Sequence, residues 1–236
     1  MIAGLQKMTL LDYPGKVACT VFLQGCNFRC PFCHNSSLLG APEQESIPTE
    51  ELLAFLKKRQ GILEGVCITG GEPTLHKYLP ELMEKIKAMG FAVKLDTNGY
   101  RPEALKELIE KKLVDYVAMD IKNCPEKYGQ TAGISPLEIG KIEESIGLLF
   151  ASGVDFEFRT TVVAQLHTAE DFSAIGQWLQ KLSPEKKTEK YFIQPYADRD
   201  SVLCGGLTTP KSTDLQAFLA AIAPCVHRAE IRGDVL

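Results

Sequence analysis

The sequence lacks several things that would settle its class quickly. It has no run of apolar residues long enough to cross a bilayer, so no transmembrane helix is expected. Its opening stretch, MIAGLQKMTLLDYPGK, holds no uninterrupted apolar segment of the kind found in signal peptides, which predicts a cytoplasmic chain. It has no long basic run, and acidic side chains outnumber basic ones by 30 to 26. Nucleic acid and anionic membranes are therefore not expected as partners. No Ser/Gly linker, low-complexity tract or break in composition divides the chain. Its 236 residues read as a single domain, with a core over about 16–200 and a C-terminal helix and strand over 210–233. A chain of this size buries roughly 70% of its unfolded surface.

What is present is an alternation of short apolar runs and amphipathic ones. Strands are predicted over 16–25, 65–73, 91–99, 114–122, 154–163, 190–196 and 225–233. Helices are predicted over 47–60, 76–90, 101–113, 135–153, 167–182 and 212–222, with Thr168 as an N-cap and Pro102 in a first turn. Strand followed by helix, about six times over, predicts right-handed βαβ units: an α/β fold with a parallel sheet or open barrel. The connections are short except at 123–134 and 197–211. Three polar or glycine-rich segments, GGEP at 70–73, DTNG at 96–99 and MDIKN at 119–123, fall at strand C-termini, where ligands bind in such folds.

The chain has eight cysteines, too many to ignore and in the wrong setting for a disulfide framework. Cys19 and Cys67 lie in apolar runs and read as buried, inert thiols. Cys26, Cys30 and Cys33 lie together in CNFRCPFCHN. Structural zinc wants four ligands, and no second knuckle follows. Haem attachment through C-x-x-C-H and a thioredoxin-like C-x-x-C each leave Cys26 unused. An iron–sulfur cluster with three protein ligands uses all three thiolates and keeps one iron open.

C-x3-C-x2-C after a first strand, an aromatic before the last cysteine, and a later GGEP resemble the radical S-adenosylmethionine (radical SAM) superfamily. The resemblance implies a partial (β/α)6 TIM-like barrel, a [4Fe–4S] cluster and S-adenosylmethionine. In that family the open iron chelates the methionyl group, and reduction cleaves the sulfonium to a 5′-deoxyadenosyl radical. The segments LDYPGKVACTVFLQGCNFRCPFCHN, DTNG and MDIK narrow the likeness to activating enzymes of glycyl-radical enzymes. The chain looks most like those serving anaerobic ribonucleotide reductase, and it is related to the pyruvate formate-lyase activators.

By that resemblance Cys26, Cys30 and Cys33 are the cluster ligands. Phe32 and the backbone around His34 meet the adenine. Gly70, Gly71, Glu72 and Thr97 line the cofactor, Lys122 meets its carboxylate, and Asp96 and Asp120 match a monovalent-cation site. Arg159 is a candidate for the cofactor's carboxylate or the substrate, with a plain salt bridge as its alternative. The partners implied are a glycyl-radical enzyme and a flavodoxin or ferredoxin as electron donor. Two departures stand out. The related activators place a histidine after Pro-Tyr where this chain has Ala197, and no cysteine lies between His34 and Val66, so auxiliary clusters are not expected. Cys124, Cys204 and Cys225 stay open as scattered ligands. Two rivals also stay open: a radical SAM enzyme acting on a small molecule, as in 7-carboxy-7-deazaguanine synthesis, and a non-enzymatic iron–sulfur carrier.

Overall fold

The computed structural model describes residues 1–40, 46–198 and 202–233. Part of the long connection expected at 197–211 lies outside them. In chain order the strands are β1 (Ile2–Thr9), β2 (Ala18–Leu23), β3 (Gly65–Gly70), β4 (Ala92–Thr97), β5 (Tyr116–Asp120), β6 (Asp155–Val162), β7 (Thr188–Pro195) and β8 (Val226–Ile231). The helices are α1 (Thr49–Lys57), α2 (Leu79–Ala88), α3 (Pro102–Glu110), α4 (Pro125–Ala132), α5 (Ile139–Ala151), α6 (Ala169–Leu182) and α7 (Ser212–Ile222). From β2 to α7 every strand is followed by a helix, which matches the six βα units expected.

Two compact units contain these elements. The first comprises Met1–Asn27, Ser37–Thr97 and Arg101–Ala118; the second comprises Phe28–Ser36, Asn98–Tyr100 and Met119–Leu236. In the first, β2, β3 and β4 pair in parallel, Ala18 through Leu23 matching Gly65 through Gly70. Their side chains read as near-continuous apolar runs because both faces are covered. Val66, Ile68, Val93 and Leu95 are buried, as are Leu52 and Leu56 of α1, Met83 and Ile86 of α2, and Leu105 and Leu108 of α3. In the second unit β6, β7 and β8 are again parallel, Phe158 through Val162 matching Tyr191 through Pro195. Phe158, Tyr191 and Ile193 are buried there with Ile146 and Leu149 of α5 and Phe172 and Leu179 of α6.

Thr168 caps α6 as expected, in a reciprocal capping box with Asp171. Two elements were not foreseen. Strand β1 pairs antiparallel with β2, which departs from the all-parallel expectation. Its middle residues are exposed, so it shows neither alternation nor an apolar run. Helix α4 occupies the segment expected as a long loop. Pro125 begins it and Gly133, left-handed at φ 65°, ends it.

One buried ion pair in the second unit is worth a measurement. Glu157 is fully buried on β6 and takes both guanidinium N–H groups of Arg232, at 2.6 and 3.0 Å. The same guanidinium lies 3.4 Å from the Phe192 ring centre. Arg232→Met would strip a buried carboxylate of its guanidinium, which costs about 3 kcal/mol. Anaerobic urea denaturation is expected to show that loss as a lower midpoint with an unchanged slope.

Candidate active site

The three clustered cysteines follow β2 on a segment without regular secondary structure, so its backbone needs partners from elsewhere. In the first unit the partner is the turn after β3. Gly71 N–H donates to the Leu23 carbonyl and Glu72 N–H to the Gly25 carbonyl, both at 2.8 Å. Main chain lies directly on main chain here. A Cβ on Gly71 would stand 2.0 Å from the Gly25 carbonyl oxygen, and one on Gly70 would stand 2.3 Å from the Leu23 nitrogen. Both glycines are required by contact, Gly70 against Leu23 and Gly71 against Gly25, which immediately precedes Cys26. The Glu72 carboxylate is buried and accepts from the Thr74 and Thr97 hydroxyls, at 2.5 and 2.8 Å. On the same strand as Thr97, Asp96 forms an ion pair with the buried Lys94.

The second unit holds the rest of the segment by the same device. Arg29 N–H donates to the Ala132 carbonyl at 2.9 Å, at the end of α4. A Cβ on Gly133 would stand 2.1 Å from the Arg29 carbonyl oxygen. Cys30 is buried, its sulfur 3.7 Å from the Ala132 carbonyl. Burial pushes the Cys30 thiol up, while the Lys122 ammonium pulls it back toward the thiolate. Phe32 is buried edge-on to His167, with ring centres 6.4 Å apart. Cys204 N–H donates to the Pro31 carbonyl at 2.9 Å. The His34 ring stacks on Tyr196, and its Nε2–H donates to the Ala197 carbonyl at 2.7 Å. The cysteine segment thus brings His34 against Ala197, the residue after Pro-Tyr.

At the end of β5 three charges meet. Asp120 accepts from Arg159 Nε at 2.5 Å and from Lys122 Nζ at 2.8 Å. Burial opposes the Asp120 charge, but the guanidinium and ammonium outweigh it and hold the carboxyl well below the usual carboxylate range. Burial likewise opposes the Lys122 charge, and Asp120, helped by Cys30, holds the ammonium above its ordinary value. Arg159 is therefore in the ion-pair role that the sequence left as its alternative.

Asp96 and Asp120, matched to a cation site, each carry a cationic side chain of their own unit. The other cysteines are quiet. Cys19 is buried and its thiol pushed up to about 12. Cys67 and Cys225 are buried, and Cys124 donates to Asp171 at 3.6 Å. Cys204 is exposed. Sequence reasoning missed Lys94, hidden inside an apolar run, and also missed Tyr128, Thr160 and His167. Those three satisfy the carbonyls of Asp120, Ile121 and Lys122 at 3.2, 2.7 and 2.9 Å.

These residues fit the cofactors that the sequence implies. Three thiols on one short segment supply soft ligands for iron. The turn at Gly70–Gly71 brings backbone where a side chain would intrude, and Lys122 offers a fixed cation to a carboxylate.

The comparisons with known proteins agree. The model of the radical SAM superfamily matches residues 20–179. A Methanocaldococcus jannaschii protein provisionally named a glycyl-radical enzyme activating enzyme is 34% identical over 210 residues, covering 85% of this chain and 82% of that one. The pyruvate formate-lyase-activating enzyme of Clostridium pasteurianum is 32% identical over 127 residues, about half of each chain. Among solved structures, anSMEcpe with bound AdoMet superposes with a TM-score of 0.62 at 20% identity, over 89% of this chain and 62% of that one. That likeness carries the fold: an α/β radical SAM core of the partial-barrel kind, with a parallel-dominated sheet.

The ion-pair cluster at β5 predicts a pH signature. Asp120→Asn would leave two largely buried cations short of their carboxylate, at a cost of about 2 kcal/mol at pH 7. A depressed carboxyl contributes stability above its unfolded value of about 4 and loses it as pH falls through the folded value. The gap between wild type and variant is therefore expected to stay constant from neutral pH down to about 5 and to narrow below about 4 in denaturation series.

Proposed function

The chain belongs to the radical SAM superfamily, and from that premise we propose that it activates a glycyl-radical enzyme. Radical SAM enzymes use a [4Fe–4S] cluster and S-adenosylmethionine, and this chain is one of them. When bound and reduced, the pair supplies a 5′-deoxyadenosyl radical able to take a hydrogen atom. The finer reading is that this hydrogen comes from a glycine Cα of a larger protein, an anaerobic ribonucleotide reductase or a relative of it. A flavodoxin or ferredoxin would bring the electron.

The observation that carries this reading is the extent of one match. The Methanocaldococcus protein is similar over 85% of this chain and 82% of its own length. The roles then fall on individual residues. Cys26, Cys30 and Cys33 hold the cluster. Gly70 and Gly71 offer backbone to the methionyl ammonium, and Glu72, held by the Thr74 and Thr97 hydroxyls, offers it a carboxylate. Lys122, kept charged by Asp120, meets the methionyl carboxylate. Phe32 and the backbone at His34 meet the adenine. Arg159 acts through Asp120, holding the carboxylate that in turn orients Lys122.

The test is anaerobic. Reconstituted, reduced protein is incubated with S-adenosylmethionine and the candidate reductase. The expected products are 5′-deoxyadenosine, methionine and a glycyl doublet in the electron paramagnetic resonance spectrum of the reductase. Cofactor cleavage without a doublet would point to a small-molecule substrate. A cluster that assembles but cleaves nothing would favour the carrier.

A further inference from the structure

Asp120 ends β5, and Ile121 and Lys122 follow it. Each of their three carbonyls accepts from a side chain of a different element. The Tyr128 hydroxyl of α4 donates to Asp120 at 3.2 Å. The Thr160 hydroxyl of β6 donates to Ile121 at 2.7 Å. His167, from the connection before α6, donates to Lys122 at 2.9 Å. The tautomer of His167 follows from its second partner. Val163 N–H donates to Nδ1 at 3.1 Å, closer than the Val163 carbonyl at 3.3 Å, and the Lys122 carbonyl can only accept, so the proton sits on Nε2 and points at Lys122. The residue is buried, and burial lowers its pKa, so the ring stays neutral.

Of the three, His167 alone also lies edge-on to Phe32, within the cysteine segment. We propose that His167 is a positioning residue for cofactor binding, fixing the backbone of Lys122 and the ring of Phe32 through one imidazole. The proposal rests on the reading of Lys122 as the contact for the methionyl carboxylate and of Phe32 as a wall of the adenine site. It goes beyond that reading because His167 itself touches no reacting group. Two cofactor contacts that belong to different segments share one rigid, doubly hydrogen-bonded support. Rotation of Lys122 is then limited at its main chain by His167 and at its tip by Asp120.

The experiment measures S-adenosylmethionine binding, by titrating the change it makes in the electron paramagnetic resonance signal of the reduced cluster. Iron and sulfide content is measured on the same samples. His167→Leu keeps the bulk and loses both hydrogen bonds. It is expected to hold wild-type iron and to bind the cofactor about tenfold more weakly, the effect of one lost hydrogen bond to a fixed group. His167→Gln, which retains an N–H donor, is expected to recover most of that affinity. If His167 acts through Lys122, the loss shrinks when His167→Leu is made in a Lys122→Met background. Wild-type affinity in His167→Leu, or an undiminished loss in the double variant, would overturn the proposal. Should His167→Leu fail to take up iron, His167→Met replaces it: weaker binding than His167→Gln at full iron supports the proposal, and equal binding by the two contradicts it. A wild-type protein that binds the cofactor but forms no glycyl doublet would defeat the activase reading and leave this one standing.

Discussion

Everything at this site depends on holding a segment without secondary structure in one conformation. Residues 24–35 carry the three cysteines and belong to no helix or strand. The chain solves this with main chain laid on main chain, and glycine is the only residue that allows it. Gly71 lies on Gly25, one residue before Cys26; Gly133 lies on Arg29, one residue before Cys30. Each contact leaves no room for a methyl group, so any other residue there would move a cysteine. The cost is conformational entropy in the unfolded chain, offset by backbone hydrogen bonds that would otherwise be missing.

Charge is handled with the same economy. Asp120 takes both Arg159 and Lys122, which lets a largely buried lysine keep its proton beside the Cys30 thiol, itself pushed up by burial. Buried ion pairs of this kind add little net stability, because desolvation consumes most of the Coulombic gain. Their value is orientation. The Lys122 ammonium is fixed by Asp120, and the Glu72 carboxylate is fixed by the Thr74 and Thr97 hydroxyls, each within its own unit.

The order of elements was legible because local chemistry and burial agreed. The apolar runs at β2 to β7 and the capped, amphipathic helices announce themselves, and α7 spans the predicted 212–222. The cysteines and GGE were legible because their spacing is itself the signal. Strand β1 was not, since Gln6, Lys7 and Met8 face solvent and break its alternation. Helix α4 was not, because PEKYGQTA buries only Tyr128, Thr131 and Ala132 and carries an internal glycine. Lys94 was masked by the apolar run around it, and its meaning appears only with Asp96 alongside. His167, Thr160 and Tyr128 act on carbonyls far away in sequence, and nothing in the local pattern marks them.

The proposed chemistry requires one iron of the cluster to be left without a protein thiolate. Mössbauer spectroscopy of anaerobic protein reconstituted with isotopically enriched iron tests this directly. The account predicts a four-iron cluster in which a single iron changes its parameters when S-adenosylmethionine is added, the rest staying as they were. Iron sites that remain equivalent with the cofactor present, or a segment that takes up zinc in place of iron, would contradict it.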